Sequence, residues 1–158
     1  IARVLLRDPA LLIFDEATTA LDVVTQGQIL KEIVEMEKTL ATTRIMITHD
    51  MSVVATTCNK VAVMYAGELM EFGMVTDVLT KPCHPYTQGL QRSFPSLKGE
   101  NKKLESIPGF LPDLSKECKG CVFAPRCPHA TERCFNEKPP MFKTGENGSS
   151  ACWLCEGK

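Results

Sequence analysis

Short apolar runs alternate with a helical pattern in the first part of the chain. The run Leu11–Asp15 (LLIFD) is apolar and closed by a carboxylate, which is typical of a buried parallel strand. Residues 23–40 then carry apolar side chains at helical spacing, and Asp22 is placed to cap the N-terminus of that helix. A second short strand is predicted at residues 44–48 (RIMIT). This alternation predicts an α/β fold with a layered sheet.

The pattern changes from residue 60 onward. Two strand-like segments, residues 60–65 and 68–72, flank Ala66-Gly67 and predict a hairpin with a tight turn. Residues 86–94 have a helical pattern. The charged stretch at residues 98–103 is typical of a linker.

Cysteine is concentrated at the end of the chain, because six of the eight cysteines fall between Cys118 and Cys155. The same segment is short on aliphatic residues and rich in proline, so we expect it to need cross-links or metal rather than a conventional core. The sequence therefore divides into an α/β part at residues 1–80, a helix and linker at 81–106 and a small cysteine-rich, metal-binding tail at 107–158.

Charge and hydropathy exclude some classes of function. The 158 residues include 18 basic and 19 acidic side chains and carry a net charge of -1, which gives no general attraction to nucleic acid or anionic lipid. The longest apolar runs, such as residues 61–66, are far shorter than the roughly 20 residues that span a bilayer. If the protein works at a membrane, we expect another subunit to hold it there.

Candidate chemistry lies where the two predicted strands end. Asp15-Glu16 ends the first strand and His49-Asp50 follows the second, and functional groups of α/β sheets gather beyond the carboxyl ends of strands. A carboxylate held on a strand suits Mg²⁺, and an adjacent one can polarise a water that attacks a γ-phosphate. Acidic pairs and single histidines at strand ends are also common without such a role.

Three segments in this order resemble the ATPase subunits of ABC transporters. DEATTALD at residues 15–22 is similar to the stretch from the Walker B element into the D-loop, and ITHD at 47–50 is similar to the switch loop. The third segment is VAVMYAGELMEFG at residues 61–73. The resemblance implies the C-terminal half of a P-loop NTPase domain of the ABC type, with ATP and Mg²⁺ as its ligands.

The resemblance also implies a role for each matching residue. Asp15 would serve Mg²⁺, Glu16 would be the catalytic carboxylate, and His49 would contact the γ-phosphate. Asp22 would lie in the D-loop at the interface with a second ATPase subunit. One departure is Ala17, which stands where the family usually has a proline that would stiffen the turn.

Two motifs of a complete ABC ATPase do not occur in the chain. There is no GxxxxGK[ST] phosphate-binding loop and no LSGGQ-type signature. The chain therefore resembles the second half of the domain, and alone we expect it not to hydrolyse ATP. A degenerate, inactive subunit is the alternative.

A further set of motifs resembles the peptide/nickel importers among these ATPases. HPYTQGL at residues 84–90 is followed by IPG at 107–109 and GCVFAPRCP at 120–128. The resemblance implies an ATP-hydrolysing subunit of a di-/oligopeptide importer, peripheral on the cytoplasmic face of the membrane. Its partners would be a second ATPase subunit, two transmembrane permease subunits and, indirectly, an extracytoplasmic peptide-binding protein, but not nucleic acid. The alternatives are a non-transport ABC ATPase and a metal-stapled nucleic-acid-binding module.

The tail cysteines allow three interpretations. Disulfides are disfavoured for an ATPase of the reducing cytosol. Zinc is favoured by spacing alone, because Cys118-x-x-Cys121 and Cys152-x-x-Cys155 form two C-x-x-C pairs. The family resemblance instead implies a [4Fe–4S] cluster, held by Cys121, Cys127, Cys134 and Cys152. With either metal, the expected role is structural: the metal cross-links the segments of the tail.

Overall fold

The computed structural model describes residues 9–37, 42–93, 106–115 and 118–157. The chain divides into two compact units, Ile1–Cys58 and Asn59–Lys158. In the described residues each unit has its own sheet and its own apolar cluster.

The first unit contains the predicted parallel strands. Strands β1 (Leu11–Asp15) and β2 (Thr43–Ile47) pair in parallel, with Leu11 opposite Thr43 and Asp15 opposite Ile47. Helix α1 (Val23–Glu37) connects them, and α2 (Met51–Thr57) follows β2. The predicted α/β pattern is confirmed, with β2 one residue earlier than expected. The end of the predicted first helix, residues 38–40, lies outside the described residues.

The core of the first unit lies on one face of this strand pair. Leu12 and Phe14 of β1 are buried against Ile33 of α1. Ile13 and Ile45 point the other way and are 60% and 47% exposed. The expectation of a fully buried strand is therefore wrong for the described residues, because parallel strands are buried on both sides only when both faces of the sheet are covered.

The second unit is built on the predicted hairpin. Strands β3 (Lys60–Tyr65) and β4 (Glu68–Met74) are antiparallel, and Ala66 and Gly67 turn between them with φ of 51° and 81°. Two consecutive left-handed residues are what a tight hairpin turn requires. Two short tail strands, β5 (Phe142–Lys143) and β6 (Ser149–Ser150), extend the sheet in the order β3-β4-β6-β5.

Short helices complete the second unit. Helix α3 (Val75–Thr80) was not predicted. Helix α4 (Pro85–Ser93) confirms the predicted helix as far as residue 93, and residue 94 lies outside the described residues. The tail adds α5 (Glu132–Asn136) and 3₁₀ turns at Ala124–Arg126 and Trp153–Cys155. The charged stretch at 98–103 lies outside the described residues. No helix in the part that the structure describes is long and apolar enough to cross a bilayer.

The tail does bury a core, which corrects the expectation from its composition. Val122 and Phe123 of the tail are buried against Tyr65 and Met70 of the hairpin. The rings of Tyr65 and Phe123 meet edge to face, with centroids 5.3 Å apart. The expectation was wrong because the hairpin supplies the apolar surface that the tail lacks. Aromatic pairs of this kind also add about 1 kcal/mol beyond the area that they bury.

Candidate functional site

The paired strands bring Glu16 and His49 together. Because β1 and β2 are parallel and end side by side, the residues that follow them share one edge of the sheet. The Glu16 N–H donates to the Ile47 carbonyl at 2.9 Å. The His49 Nδ1 atom then lies 3.2 Å from the Glu16 Oε1 atom. Both side chains are well exposed, at 70% and 53%, so a ligand can reach them.

Glu16 has a strained backbone. Its φ is 44°, in the left-handed region that residues other than glycine seldom adopt, at a cost of about 1–2 kcal/mol. The turn that follows holds this conformation, because the hydroxyl and the N–H of Thr19 both donate to the Glu16 carbonyl, at 2.8 and 3.2 Å. Strain of this kind clusters at functional sites. Ala17 lies in the same turn.

The other two candidates from the first unit occupy the ends of elements. Asp15 is the last residue of β1 and its side chain is exposed. Asp22 caps α1 as predicted, because its Oδ1 atom accepts from the N–H groups of Val24 and Thr25 at 3.1 and 3.0 Å. The Thr25 hydroxyl donates to its Oδ2 atom at 2.6 Å, and these bonds hold the pKa of Asp22 below its usual value.

The second unit contains a cavity lined by cysteine. The four predicted ligands Cys121, Cys127, Cys134 and Cys152 all line it. Burial raises the pKa of the Cys121 and Cys127 thiols, and the nearby Cys134 sulfur raises both further. The pKa of Cys152 is raised to about 12, mainly by burial and then by Cys155, Cys127 and Cys121. The thiols of Cys121, Cys127 and Cys152 therefore each lie near another cysteine of the cavity.

A glycine allows two of the cysteine segments to touch. The Cys121 N–H donates to the Cys134 carbonyl at 2.8 Å. A Cβ atom on Gly120 would lie 2.3 Å from that same carbonyl oxygen and 2.5 Å from the Phe135 carbonyl carbon. Only a residue without a side chain fits between these backbones.

An arginine connects the third and fourth cysteine segments. The Arg133 guanidinium lies 3.4 Å from the centre of the Trp153 ring. The same guanidinium donates to Glu137 at 3.1 Å and to Glu156 at 2.8 Å. Because Arg133 precedes Cys134 and Trp153 follows Cys152, these contacts hold the two segments beside each other.

Zinc and a [4Fe–4S] cluster place different demands on the four cysteines of the cavity. Across the described ranges, no group of three or more His, Cys, Asp or Glu side chains is arranged to hold a metal ion. Cys118 and Cys155 do not line the cavity, and no disulfide joins any of the eight cysteines. Zinc needs four ligands on one ion, whereas each cysteine of a [4Fe–4S] cluster binds a different iron.

A buried histidine lines the same cavity and was missed as a site residue by sequence reasoning. His84 is 1% exposed. Its backbone N–H donates to the Glu71 carboxylate at 3.1 Å, and its Nδ1 atom accepts from the Tyr86 N–H at 3.0 Å. Burial lowers the pKa of His84 from 6.5 to about 4, although a hydrogen bond to the Ala151 backbone opposes this shift. The HPYT motif was the available signal.

Comparison with known proteins shows what the chain is similar to. The chain is 48% identical over 153 residues to the oligopeptide transport ATP-binding protein OppD of Salmonella typhimurium, a match that covers 97% of this chain and 45% of that protein. Residues 70–134 match the family described as oligopeptide/dipeptide transporter, C-terminal region. Over nearly its whole length the chain is similar to ATP-binding proteins of oligopeptide and dipeptide transport. The region that the family model matches contains Glu71, His84 and three of the four cysteines.

Other relatives agree with this match. The chain is 46% identical to OppD of Haemophilus influenzae, over 100% of this chain and 49% of that protein. It is 42% identical to the dipeptide transport protein DppD of Caldanaerobacter subterraneus, over 99% of this chain and 48% of that protein. The chain thus spans about half the length of the curated relatives it matches.

One solved structure is similar to part of the chain. It is cbiO1 from Clostridium perfringens, part of the ABC transporter complex cbiONQ, which is 39% identical over 51% of this chain and 32% of its own. The TM-score of 0.47 is too low for this likeness to establish the fold.

Proposed function

We propose that the chain is part of the ATP-hydrolysing subunit of an importer for dipeptides or oligopeptides. The observation that carries the proposal is the contact between Glu16 and His49 at the edge of the parallel strands. The relatives named as oligopeptide and dipeptide transport ATP-binding proteins support ATP as the hydrolysed nucleotide and peptides as the transported substrate.

Each residue at this edge has a proposed task in ATP hydrolysis. Asp15, fixed at the end of β1, would hold Mg²⁺, which offsets charge on the phosphates. Glu16 accepts a hydrogen bond from the attacking water and polarises it. His49 donates to the γ-phosphate while its other ring nitrogen faces Glu16. Glu16 follows the last residue of β1 with a left-handed φ of 44°, at the end of the strand.

The proposed assembly follows from the family. Asp22 caps α1 in the D-loop segment and would face a second ATPase subunit. Two transmembrane permease subunits would hold the ATPase pair on the cytoplasmic face of the membrane. An extracytoplasmic binding protein would deliver the peptide and contact the ATPase only indirectly.

ATP turnover by the full-length subunit tests the proposal. Replacing Glu16→Gln keeps the shape of the side chain and removes its basicity, so turnover should fall by about 100-fold or more while nucleotide binding remains. The matched control is Glu32→Gln, the same chemical change on an exposed position of α1. Equal turnover by E16Q and E32Q would refute the assigned role.

We also propose that the tail holds a [4Fe–4S] cluster on Cys121, Cys127, Cys134 and Cys152. The supporting observation is that these four thiols line one cavity. The cluster would cross-link four segments of a small tail, which is a structural role. Zinc is the competing occupant.

Metal analysis of the chain purified without oxygen tests the cluster. We expect iron and sulfide in equal amounts and a brown chromophore that Cys127→Ser abolishes. The control is Cys118→Ser, which alters a half-buried thiol that does not line the cavity. A colourless protein with zinc and no sulfide would contradict the proposal.

A further inference from the structure

The backbone of Glu16 is hydrogen-bonded on both sides. Its N–H donates to the carbonyl of Ile47, the last residue of the strand that leads to His49, at 2.9 Å. Its carbonyl accepts from Thr19 twice, from the hydroxyl at 2.8 Å and from the N–H at 3.2 Å. The proposed hydrolysis uses the side chains of Glu16 and His49 and so far assigns no role to Thr19.

The left-handed backbone of Glu16 interrupts the alternation of β1. Successive side chains of a strand point to opposite faces, so a strand that continued through residue 16 would place Glu16 on the face of Leu12 and Phe14. That face is buried against α1. In the structure the φ of Glu16 is 44°, its side chain is 53% exposed, and its Oε1 atom lies 3.2 Å from the His49 Nδ1 atom. The contact is thus made from a backbone conformation that glutamate seldom adopts.

The turn that contains Thr19 is anchored before and after it. Thr18 is 9% exposed, and its carbonyl accepts from the Leu21 N–H at 3.2 Å. Asp22 then caps α1 through the N–H groups of its first turn. Between these anchors, the Thr19 hydroxyl donates back to the Glu16 carbonyl. The residues on both sides of Thr19 therefore fix where its hydroxyl lies.

We propose that Thr19 is a positioning residue for ATP hydrolysis: its hydroxyl, bonded to the Glu16 carbonyl, holds the left-handed backbone from which the Glu16 carboxylate faces His49. The proposal rests on the function proposed above, in which Glu16 polarises the attacking water. Other backbone conformations of Glu16 are less strained, so loss of the hydroxyl should raise their population and displace the carboxylate from the reacting geometry. Thr19 acts through Glu16 and does not itself contact the reacting atoms.

Three substitutions isolate the hydroxyl. Thr19→Val keeps the shape of the side chain and the backbone N–H, whereas Thr19→Ser keeps the hydroxyl and loses the methyl group. The control is Thr80→Val, the same change on an exposed threonine of α3, whose hydroxyl donates to the Thr76 carbonyl at 2.7 Å. Because Thr19 is also exposed, T19V leaves no buried group without a partner, and the variant should fold.

The measurement is steady-state ATP turnover by the full-length subunit, with kcat and KM determined separately. We expect T19V to lower kcat about 5-fold, the effect of one lost hydrogen bond, and to leave the KM for ATP within about twofold of wild type. T19S and T80V should keep the wild-type kcat.

A double substitution tests whether Thr19 acts through Glu16. Adding Thr19→Val to Glu16→Gln should leave the residual turnover of E16Q unchanged, because the hydroxyl has no carboxylate to position once Glu16 is replaced. A role of Thr19 in the stability of the turn alone would not produce this dependence on Glu16.

The outcomes distinguish the two proposals. A wild-type kcat for T19V, with turnover lost in E16Q, would overturn the positioning role and leave the ATPase function intact. The same conclusion would follow if T19S were as slow as T19V, or if Thr19→Val lowered turnover equally in the wild-type and E16Q backgrounds. If E16Q itself turned over ATP at the wild-type rate, the proposed function of Glu16 would fail, and the positioning role with it.

Discussion

Adding one methyl group at Gly120 should disrupt the tail. A Cβ atom there would lie 2.3 Å from the Cys134 carbonyl oxygen and 2.6 Å from that of Phe135, where contacts under 3.0 Å essentially never occur. Both neighbours are backbone atoms and cannot rotate away. We expect Gly120→Ala to cost about 3 kcal/mol for overpacking and about 1 kcal/mol for the Cys121–Cys134 backbone hydrogen bond.

A graded control makes this prediction specific. Gly89→Ala would place its Cβ atom 2.8 Å from the Ile107 side chain, which can adjust, and alanine is about 1 kcal/mol better than glycine in a helix. Denaturant unfolding of the metal-free chain should therefore show a loss of about 4 kcal/mol for G120A and a much smaller change for G89A. If G120A unfolds at the wild-type midpoint, the two cysteine segments are not in this contact.

Three further changes test other parts of the structure. Burial lowers the pKa of His84 from 6.5 to about 4, so between these pH values the unfolded chain binds one more proton than the folded chain. The free energy of unfolding should therefore rise by about 3 kcal/mol from pH 4 to pH 6.5. His84→Asn should remove this rise when unfolding is measured as a function of pH. Tyr65→Phe removes the hydroxyl that accepts from Arg126 at 3.2 Å and should cost about 1 kcal/mol in denaturant unfolding. Gly27→Ala, in the middle of α1 with nothing within 4 Å of the new methyl, should stabilise by about 0.5–1 kcal/mol, and a loss in thermal unfolding would contradict the helix.

Local sequence patterns predicted the strands and the helix at whose ends the candidate ATPase residues lie. The apolar run that ends at Asp15 gives β1 with the expected bounds, and Asp22 caps α1 because a carboxylate before a helix finds free N–H groups. The pairing of Glu16 with His49 follows from the rule that parallel strands end at one edge. The left-handed φ of Glu16 had no signal in the sequence, because glutamate seldom adopts it.

Long-range contacts escaped the sequence patterns. The composition of the tail predicted no apolar core, because the tail itself has few aliphatic residues. The residues that pack against Phe123 are Tyr65 and Met70, more than fifty residues earlier in the chain. A strand of two residues, such as Ser149–Ser150, is too short to show a periodic pattern in the sequence. It forms because its backbone pairs with the edge of strand β4. The position of His84 in the cavity depends on the same long-range contacts between the hairpin and the tail.

Peptide uptake by cells tests the central claim most directly. The cells should carry, as their only copy of the full-length subunit, wild type, Glu16→Gln or Glu32→Gln at matched protein levels. The account predicts that uptake of a labelled dipeptide or oligopeptide is lost with E16Q and kept with E32Q, because only Glu16 contacts His49 at the strand edge. Undiminished, ATP-dependent uptake in E16Q cells would contradict it.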